Sequence, residues 1–316
     1  MKQLIALLIV ISSLPVSTNA QRDRNNNNDP RLKNSANLVE KQYYQTDAQK
    51  MNLKDKVKSI RELTYTVAEK NSNIVKDKMT INNSENILSN FDKYGNITTT
   101  IWYTSTGKID QSWEYKYIKP GMMSEMTYFN SNHNLIGKTT YEYNEADYLV
   151  KEIQYDNTGK VEKVFIYNYT FLGRREYLME TVDNNGKTLN HKEKISYDKD
   201  TNVVLEEKLI SGFGKLHAYV YDGKKQIITD NYQEKIIIKG DEDYHVFSVT
   251  SIQYDLRGNV ILKNSDDVYY KSKRSTKFEY VYDSHSNYTS KSTFPMGDNG
   301  ILVSNSKIIE RKIEYY

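Results

Sequence analysis

The chain has no cysteine, only 4 prolines, 14 glycines and 2 tryptophans in 316 residues. Without cysteine there is no disulfide framework and no lipid anchor on an N-terminal cysteine. No apolar run long enough for a helical membrane span follows the first 14 residues. No excess of one charge exists either. The 44 Lys and Arg offset 41 Asp and Glu, leave a net charge of +3, and are interspersed. That balance excludes a basic, aromatic-interleaved path for nucleic acid. Gly137, Gly212 and Gly214 precede no helical pattern, which excludes a phosphate-cradling loop.

What is present begins with Lys2, an apolar run from Leu4 to Leu14, Pro15 and the small residues leading to Thr18-Asn19-Ala20. This is the layout of a secretory signal peptide over residues 1–20, so an exported chain is expected: periplasmic, surface-bound or secreted. Residues 21–52 are polar, with Asn25 to Asn28 and Asp29-Pro30, and read as a flexible tether with room for a short helical turn around Leu38 to Tyr44. Strand-like text starts near Leu53 and runs to Tyr316, so one β-domain is expected over 53–316.

That domain is organised by a phrase: aromatic, Asp or Asn, two variable residues, Gly or a substitute, then an aliphatic. It appears as Phe91-Asp92-Lys93-Tyr94-Gly95-Asn96-Ile97 and returns at Tyr103, Tyr117, Phe129, Tyr143, Tyr155 and Tyr169, at spacings of 12, 14, 12, 14, 12 and 14. Such intervals are too short for strand-helix-strand units and read as hairpins, six consecutive strands of one meander between Phe91 and Tyr169. Asp first and Gly fourth suit a type I turn followed by a left-handed glycine. A three-residue loop keeps residue parity across a hairpin, so odd-numbered side chains are expected to share one apolar, aromatic face. Ile97, Ile109, Trp113, Leu135 and Tyr141 all fall in that odd set. After Tyr169 the phrase survives with changed parity, and extra turns are expected at Lys239-Gly240-Asp241 and at Asn264 to Asp267. The fold class expected is all-β: an extended antiparallel meander of hairpin repeats, curled or partly rolled.

The units Tyr219-Val220-Tyr221-Asp222-Gly223, Tyr280-Val281-Tyr282-Asp283, Tyr141-Glu142-Tyr143-Asn144 and Tyr155-Asp156-Asn157-Thr158-Gly159 resemble the YD repeats of Rhs and teneurin-like proteins. The resemblance spans Phe91 to Asp283. It implies a curling antiparallel sheet and a prior for carbohydrate or cell-surface binding, and it carries over no catalytic residue. The chain is far shorter than a full shell of that family, and no toxin domain follows its last repeat.

No catalytic, cofactor or metal site is assembled from the linear sequence. His133, His191, His217, His245 and His285 are scattered, and Asp241-Glu242-Asp243 and Asp266-Asp267 lack a fixed ligand pattern. The acceptor patterns at Asn96, Asn168 and Asn287 match turn preference in an Asn-rich chain. One regularity suggests a ligand. Eight residues on from the turn aromatics lie Thr99, Gln111, Glu125, Gly137, Lys151 and Lys163, a polar stripe on the expected aromatic face. Trp113, Tyr115 and Tyr141 would stack on a glycan or cell-surface polymer while Glu125, Lys151 and Lys163 supply hydrogen bonds. The bland reading makes Glu125 and Lys151 ordinary cross-strand charge partners. Non-enzymatic binding or a structural role is the main expectation. An outer-membrane β-barrel and an enzyme with an unrecognised site are the alternatives.

Overall fold

The recurring turn is built by its first residue. In the computed structural model, one Asp92 carboxylate oxygen accepts from the backbone N–H groups of Tyr94 (2.8 Å) and Asn96 (3.0 Å). Asp92 N–H donates to the Asn96 carbonyl, and Gly95 N–H donates back to the Asp92 carbonyl. Asn130, Asn144, Asp156, Asp222, Asp255 and Asp283 repeat the carboxylate or amide clamp on the same two amides. The fourth turn residue has positive φ: Gly95 at 90°, Gly159 at 84° and Gly258 at 86°, with His133, Asp147, Lys225 and Ser286 in the same role. This is the left-handed position the sequence assigns to glycine. Asn96 and Asn287 are buried in these turns, which removes them as glycosylation acceptors.

The structure describes residues 42–70, 73–79, 85–173, 176–183, 187–198, 202–210, 213–238, 241–297, 300–301 and 305–316; the expected signal peptide and residues 21–41 of the expected tether lie outside these. A short helix α1 (Asp47–Lys50) precedes the strands. They are β1 (Val57–Lys70), β2 (Asn73–Met79), β3 (Asn86–Phe91), β4 (Ile97–Tyr103), β5 (Ile109–Lys119), β6 (Met122–Asn130), β7 (Leu135–Tyr143), β8 (Leu149–Asp156), β9 (Val161–Gly173) and β10 (Glu176–Val182). There follow β11 (Thr188–Tyr197), β12 (Val203–Ile210), β13 (Phe213–Tyr221), β14 (Ile227–Ile238), β15 (Asp241–Tyr254), β16 (Val260–Asp267), β17 (Ser272–Tyr282), β18 (Tyr288–Gly297), β19 (Gly300–Ile301) and β20 (Lys307–Tyr315).

The expected meander of six strands is β4 to β9, each antiparallel to the next. The sheet does not stay open. β20 pairs with both β18 and β1, and β1 pairs with β3, so the ring closes into an 18-strand barrel with β2 and β19 as side extensions. Closure removes the two free edges that a partly rolled sheet would leave. Of the turn expected at Lys239-Gly240-Asp241, residues 239–240 lie outside the described residues and Asp241 begins β15, whereas Asn264 to Asp267 end strand β16 and the turn follows them.

The parity expectation fails, and the reason is one residue per hairpin. Phe91 pairs with Ile97, but Asn90 pairs with Thr99, so Thr98 is a bulge. Equivalent bulges follow Tyr103, Phe129, Tyr143 and Tyr155. An inserted residue exchanges the two faces. Phe91 and Ile97 therefore pack inward with Ile60, which is 1% exposed. Ile109, Leu135 and Val161, at the opposite rim, point outward and are 45%, 40% and 47% exposed.

The tyrosine of the phrase has its own task. Tyr143, Tyr169, Tyr221 and Tyr254 donate their hydroxyls to the carbonyls of Met123, Leu149, Val203 and Ile227, the residues that follow the preceding turn at the same rim. Each of these four hairpins is thereby tied to the one before.

Part of the expected tether is ordered and packed. From Gln42 the chain follows this rim, touching the turns around Ala146, Gly121, Gly95, Asn287 and Arg257. Its helix lies at Asp47–Lys50, C-terminal to the expected turn, and is started by a Thr46–Gln49 capping box. Ala48, Met51 and Leu53 pack on the core of Val57, Ile60 and Phe91, at the seam where first and last strands meet.

Candidate functional site: the inner wall of the barrel

Register and alternation place three chemically distinct sectors on the inner face. Over β4 to β9 the wall is aromatic. Trp102 and Trp113 lie with ring centroids 4.8 Å apart, and Tyr128 stands edge-on to Trp113 at 5.1 Å. The Tyr128 hydroxyl lies 2.7 Å from the Thr139 hydroxyl, which is buried. Gly137 is directly opposite Tyr128, and a side chain there would collide with the Tyr155 carbonyl at 2.6 Å. Further along, Glu152 accepts from Gln154 Nε2 (2.8 Å) and from the Tyr167 hydroxyl (3.2 Å).

Over β11 to β14 the inner wall is ionic and internally paired. Lys208 Nζ lies 2.6 Å from Glu206 and 3.1 Å from Glu193, and the Tyr219 hydroxyl donates to Glu206. Burial pushes the Glu193 carboxyl above the usual range. Burial acts on Glu206 in the same sense, but hydrogen bonds from Lys208, Glu193 and Tyr219 hold it below. His217 Nδ1 meets Asp230 at 2.9 Å and packs against Tyr232. Over β17, β18, β20 and β1 the wall carries Lys291, Arg311 and Glu62 between aromatic rings.

The sequence-derived binding set divides between the two faces. Trp113, Tyr115, Tyr141 and Lys163 are on the inner face, where Trp113 pairs with Tyr128, Tyr115 with Met126, Tyr141 with Glu152 and Lys163 with Gln154. Glu125 and Lys151 are on the outer face and cannot share a groove with them. Glu125 sits between Lys116 (2.7 Å) and Lys138 (3.5 Å), and Lys151 pairs with Glu142 (3.3 Å). The Lys116 ammonium, mainly by its hydrogen bond, holds the Glu125 carboxyl below the usual range. The cross-strand pairing foreseen for both residues is what forms. The stripe breaks because of the same bulges that overturn the parity rule. Trp102, Tyr128, Tyr167, Glu152, Lys291 and Arg311 were absent from the sequence-derived set. Tyr167 belongs to the odd-numbered aromatic set, and one bulged residue per turn puts Trp102, Tyr128 and Glu152 on the same face.

Among the described residues no group of three His, Cys, Asp or Glu could hold a metal ion, and no helix is long and apolar enough to cross a membrane. His285 Nδ1 bonds Asp55 of the rim segment at 2.7 Å and its ring stacks on Tyr315, so it ties the rim.

No family model matches the chain, and no curated protein does. Among solved structures, a porin-like protein from Bacteroides uniformis aligns with 82% of this chain and 96% of its own length, at 13% identity and a TM-score of 0.34. By its own strand pairing the chain is an all-β closed barrel, and its inner wall presents an aromatic sector and two ionic ones.

Proposed function

We propose that the chain is a non-enzymatic, exported protein of the cell envelope that holds an extended polar ligand, a glycan or another cell-surface polymer, along the inner wall of its barrel. The observation that carries this reading is the aromatic sector, where Trp102, Trp113 and Tyr128 form a continuous run beside Glu152, Gln154 and Lys163. Flat rings with polar groups at strand spacing suit stacked sugar rings and their hydroxyls. Barrels of roughly 16–18 strands leave an aqueous interior, which gives such a ligand room. The recurring Tyr-Asp turn supports a relation to YD-repeat proteins, in which the repeat is likewise a structural unit.

The test uses the chain's own reporters. Its 2 tryptophans, Trp102 and Trp113, are both on this wall. Mature protein screened on a glycan array and titrated with the hits should show altered tryptophan emission, and Trp113→Phe should weaken binding at least fivefold. Retention of ligands without any change in emission would overturn the assignment to this wall.

The other reading is an outer-membrane barrel, and ring closure supports it better than it supports a YD-repeat binding role. An even number of antiparallel strands around a polar interior is how chains cross that membrane. The Lys116–Glu125–Lys138 group would then face lipid, at a cost of about 2–4 kcal/mol per midplane Lys or Arg. Purification separates the readings. A monodisperse barrel without detergent supports the aqueous one, and aggregation reversed by detergent supports the membrane one.

A further inference from the structure

The inner wall at β17, β18, β20 and β1 holds more positive charge than its neighbours neutralise. Arg311 on β20 faces Glu62 on β1 and bonds it through Nε at 2.8 Å, with its side chain only 5% exposed. Its guanidinium lies 3.7 Å from the centre of the Tyr288 ring. That leaves Nη1 buried without a hydrogen-bond partner among the described residues. Lys291, on β18 opposite Ile309 and Tyr280, has its ammonium 4.9 Å from the Phe278 ring centre and 5.9 Å from that of Tyr280. Among the described residues no carboxylate lies within ion-pair distance of it. Two cations therefore share one carboxylate. Burial, and then the Arg311 charge, push the Lys291 ammonium below its usual pKa, with Glu62 pulling weakly the other way. A half-buried cation held by ring faces alone is costly unless something anionic completes it.

We infer that Lys291 and Arg311 form an anion subsite on the inner wall that takes the carboxylate or sulfate group of an acidic glycan. The inference rests on the proposed binding role and specifies its ligand class. The ring faces of Phe278, Tyr280 and Tyr288 seat the two cations, and the cations take the acidic group of the sugar. The aromatic sector on β4 and β5 carries no comparable cation pair and suits neutral portions of the same chain. On β11 to β14 the inner-face cations Lys208 and His217 are already engaged by Glu193, Glu206 and Asp230 and offer an anion no free partner there.

Two measurements on the mature chain test this. In the first, wild type, Lys291→Met, Lys291→Gln and the outer-face control Lys116→Met are melted in sodium sulfate and in sodium chloride at matched ionic strength. The sulfate-specific rise in Tm should persist in wild type and Lys116→Met and fall by at least half in both Lys291 variants. Equal rises in all four overturn the subsite. At low salt Lys291→Met should melt above wild type, and a lower Tm there would reveal an existing partner for the ammonium and also overturn it. In the second, oligogalacturonate is compared with its methyl ester, which keeps the rings and linkages and removes the charge. The free acid should bind wild type at least tenfold tighter than the ester, and the difference should shrink below threefold in Lys291→Met. Equal binding of acid and ester, with no sulfate effect, removes the subsite and leaves sugar binding standing. A sulfate effect with neither sugar bound removes the acidic-glycan assignment and leaves the anion subsite standing.

Discussion

The Asp47 carboxylate accepts a 2.8 Å hydrogen bond from the Tyr117 hydroxyl, and the same oxygen accepts from the Ile97 amide at 2.9 Å. One side chain of the rim segment thus joins β4 and β5, beside the core of Val57, Ile60 and Phe91 at the seam where β1 meets β20. Hydrogen bonds to a charged group contribute about 1.5–3 kcal/mol when a partner is lost. Asp47→Ala should therefore lower stability by about that amount, read from the midpoint of urea unfolding. Far-ultraviolet circular dichroism should remain that of a β-barrel. An unchanged midpoint would mean that the rim segment does not hold the ring closed.

The turn glycines should rank by environment. Gly95 and Gly159 both sit at positive φ, but a side chain at Gly95 would meet the Ala48 Cβ at 2.8 Å, whereas none of the surroundings approaches Gly159 within 4 Å. Valine at Gly159 should cost about 1–3 kcal/mol, from backbone strain alone. Gly95→Val should cost more, because the rim helix must also move. Lys93→Val, at an exposed turn position, should be close to neutral. Equal melting temperatures for the three would contradict the turn geometry.

Alkaline pH should open the barrel. Burial pushes the Tyr143 hydroxyl from its ordinary 10.0 up to about 12, and burial with the hydrogen bond to Asp283 does the same at Tyr315. A raised phenol keeps its proton in the fold after the unfolded chain has begun to lose it. The associated stability is full below pH 10 and is lost as pH rises toward 12. Tyrosinate absorbance and loss of ellipticity should therefore rise together in that window. Ionisation complete near pH 10 with ellipticity intact would overturn it.

The two faces should respond differently to charge removal. Glu125→Gln and Lys151→Met alter outward ion pairs and should change stability by about 0.2–1 kcal/mol, the usual worth of exposed pairs. Neither should affect ligand binding, since both point away from the inner wall. Tyr141→Ala removes an inner-face ring opposite Glu152 and should weaken binding of a glycan found by array. Loss of binding in Glu125→Gln would place the ligand outside the barrel.

The local unit is written in the residue order alone. Whereas the phrase at Tyr117 lies within β5 and the chain turns at Pro120-Gly121, a polar residue at the head of the turns at Asp92, Asn130, Asn144, Asp156, Asp222, Asp255 and Asp283 clamps two amides, and a residue able to adopt positive φ closes them. Both are short-range demands, met by residues within five positions of one another, so spacing reveals them. It also displayed the alternation of 12 and 14 residues, which corresponds to the two rims. The face of each side chain was not legible, because one bulged residue such as Thr98 reverses it without changing the pattern of residue types. Hence the sequence united Trp113 with Glu125, and the register separated them. Closure was decided by tertiary structure alone. Whether β20 finds β1 depends on twist summed over the whole ring and on pairs such as Arg311 with Glu62, 249 residues apart. The ionic group around Arg311 is of the same kind: the β18–β20 pairing sets Lys291 near it, and only closure of the ring brings Glu62 of β1 to its guanidinium.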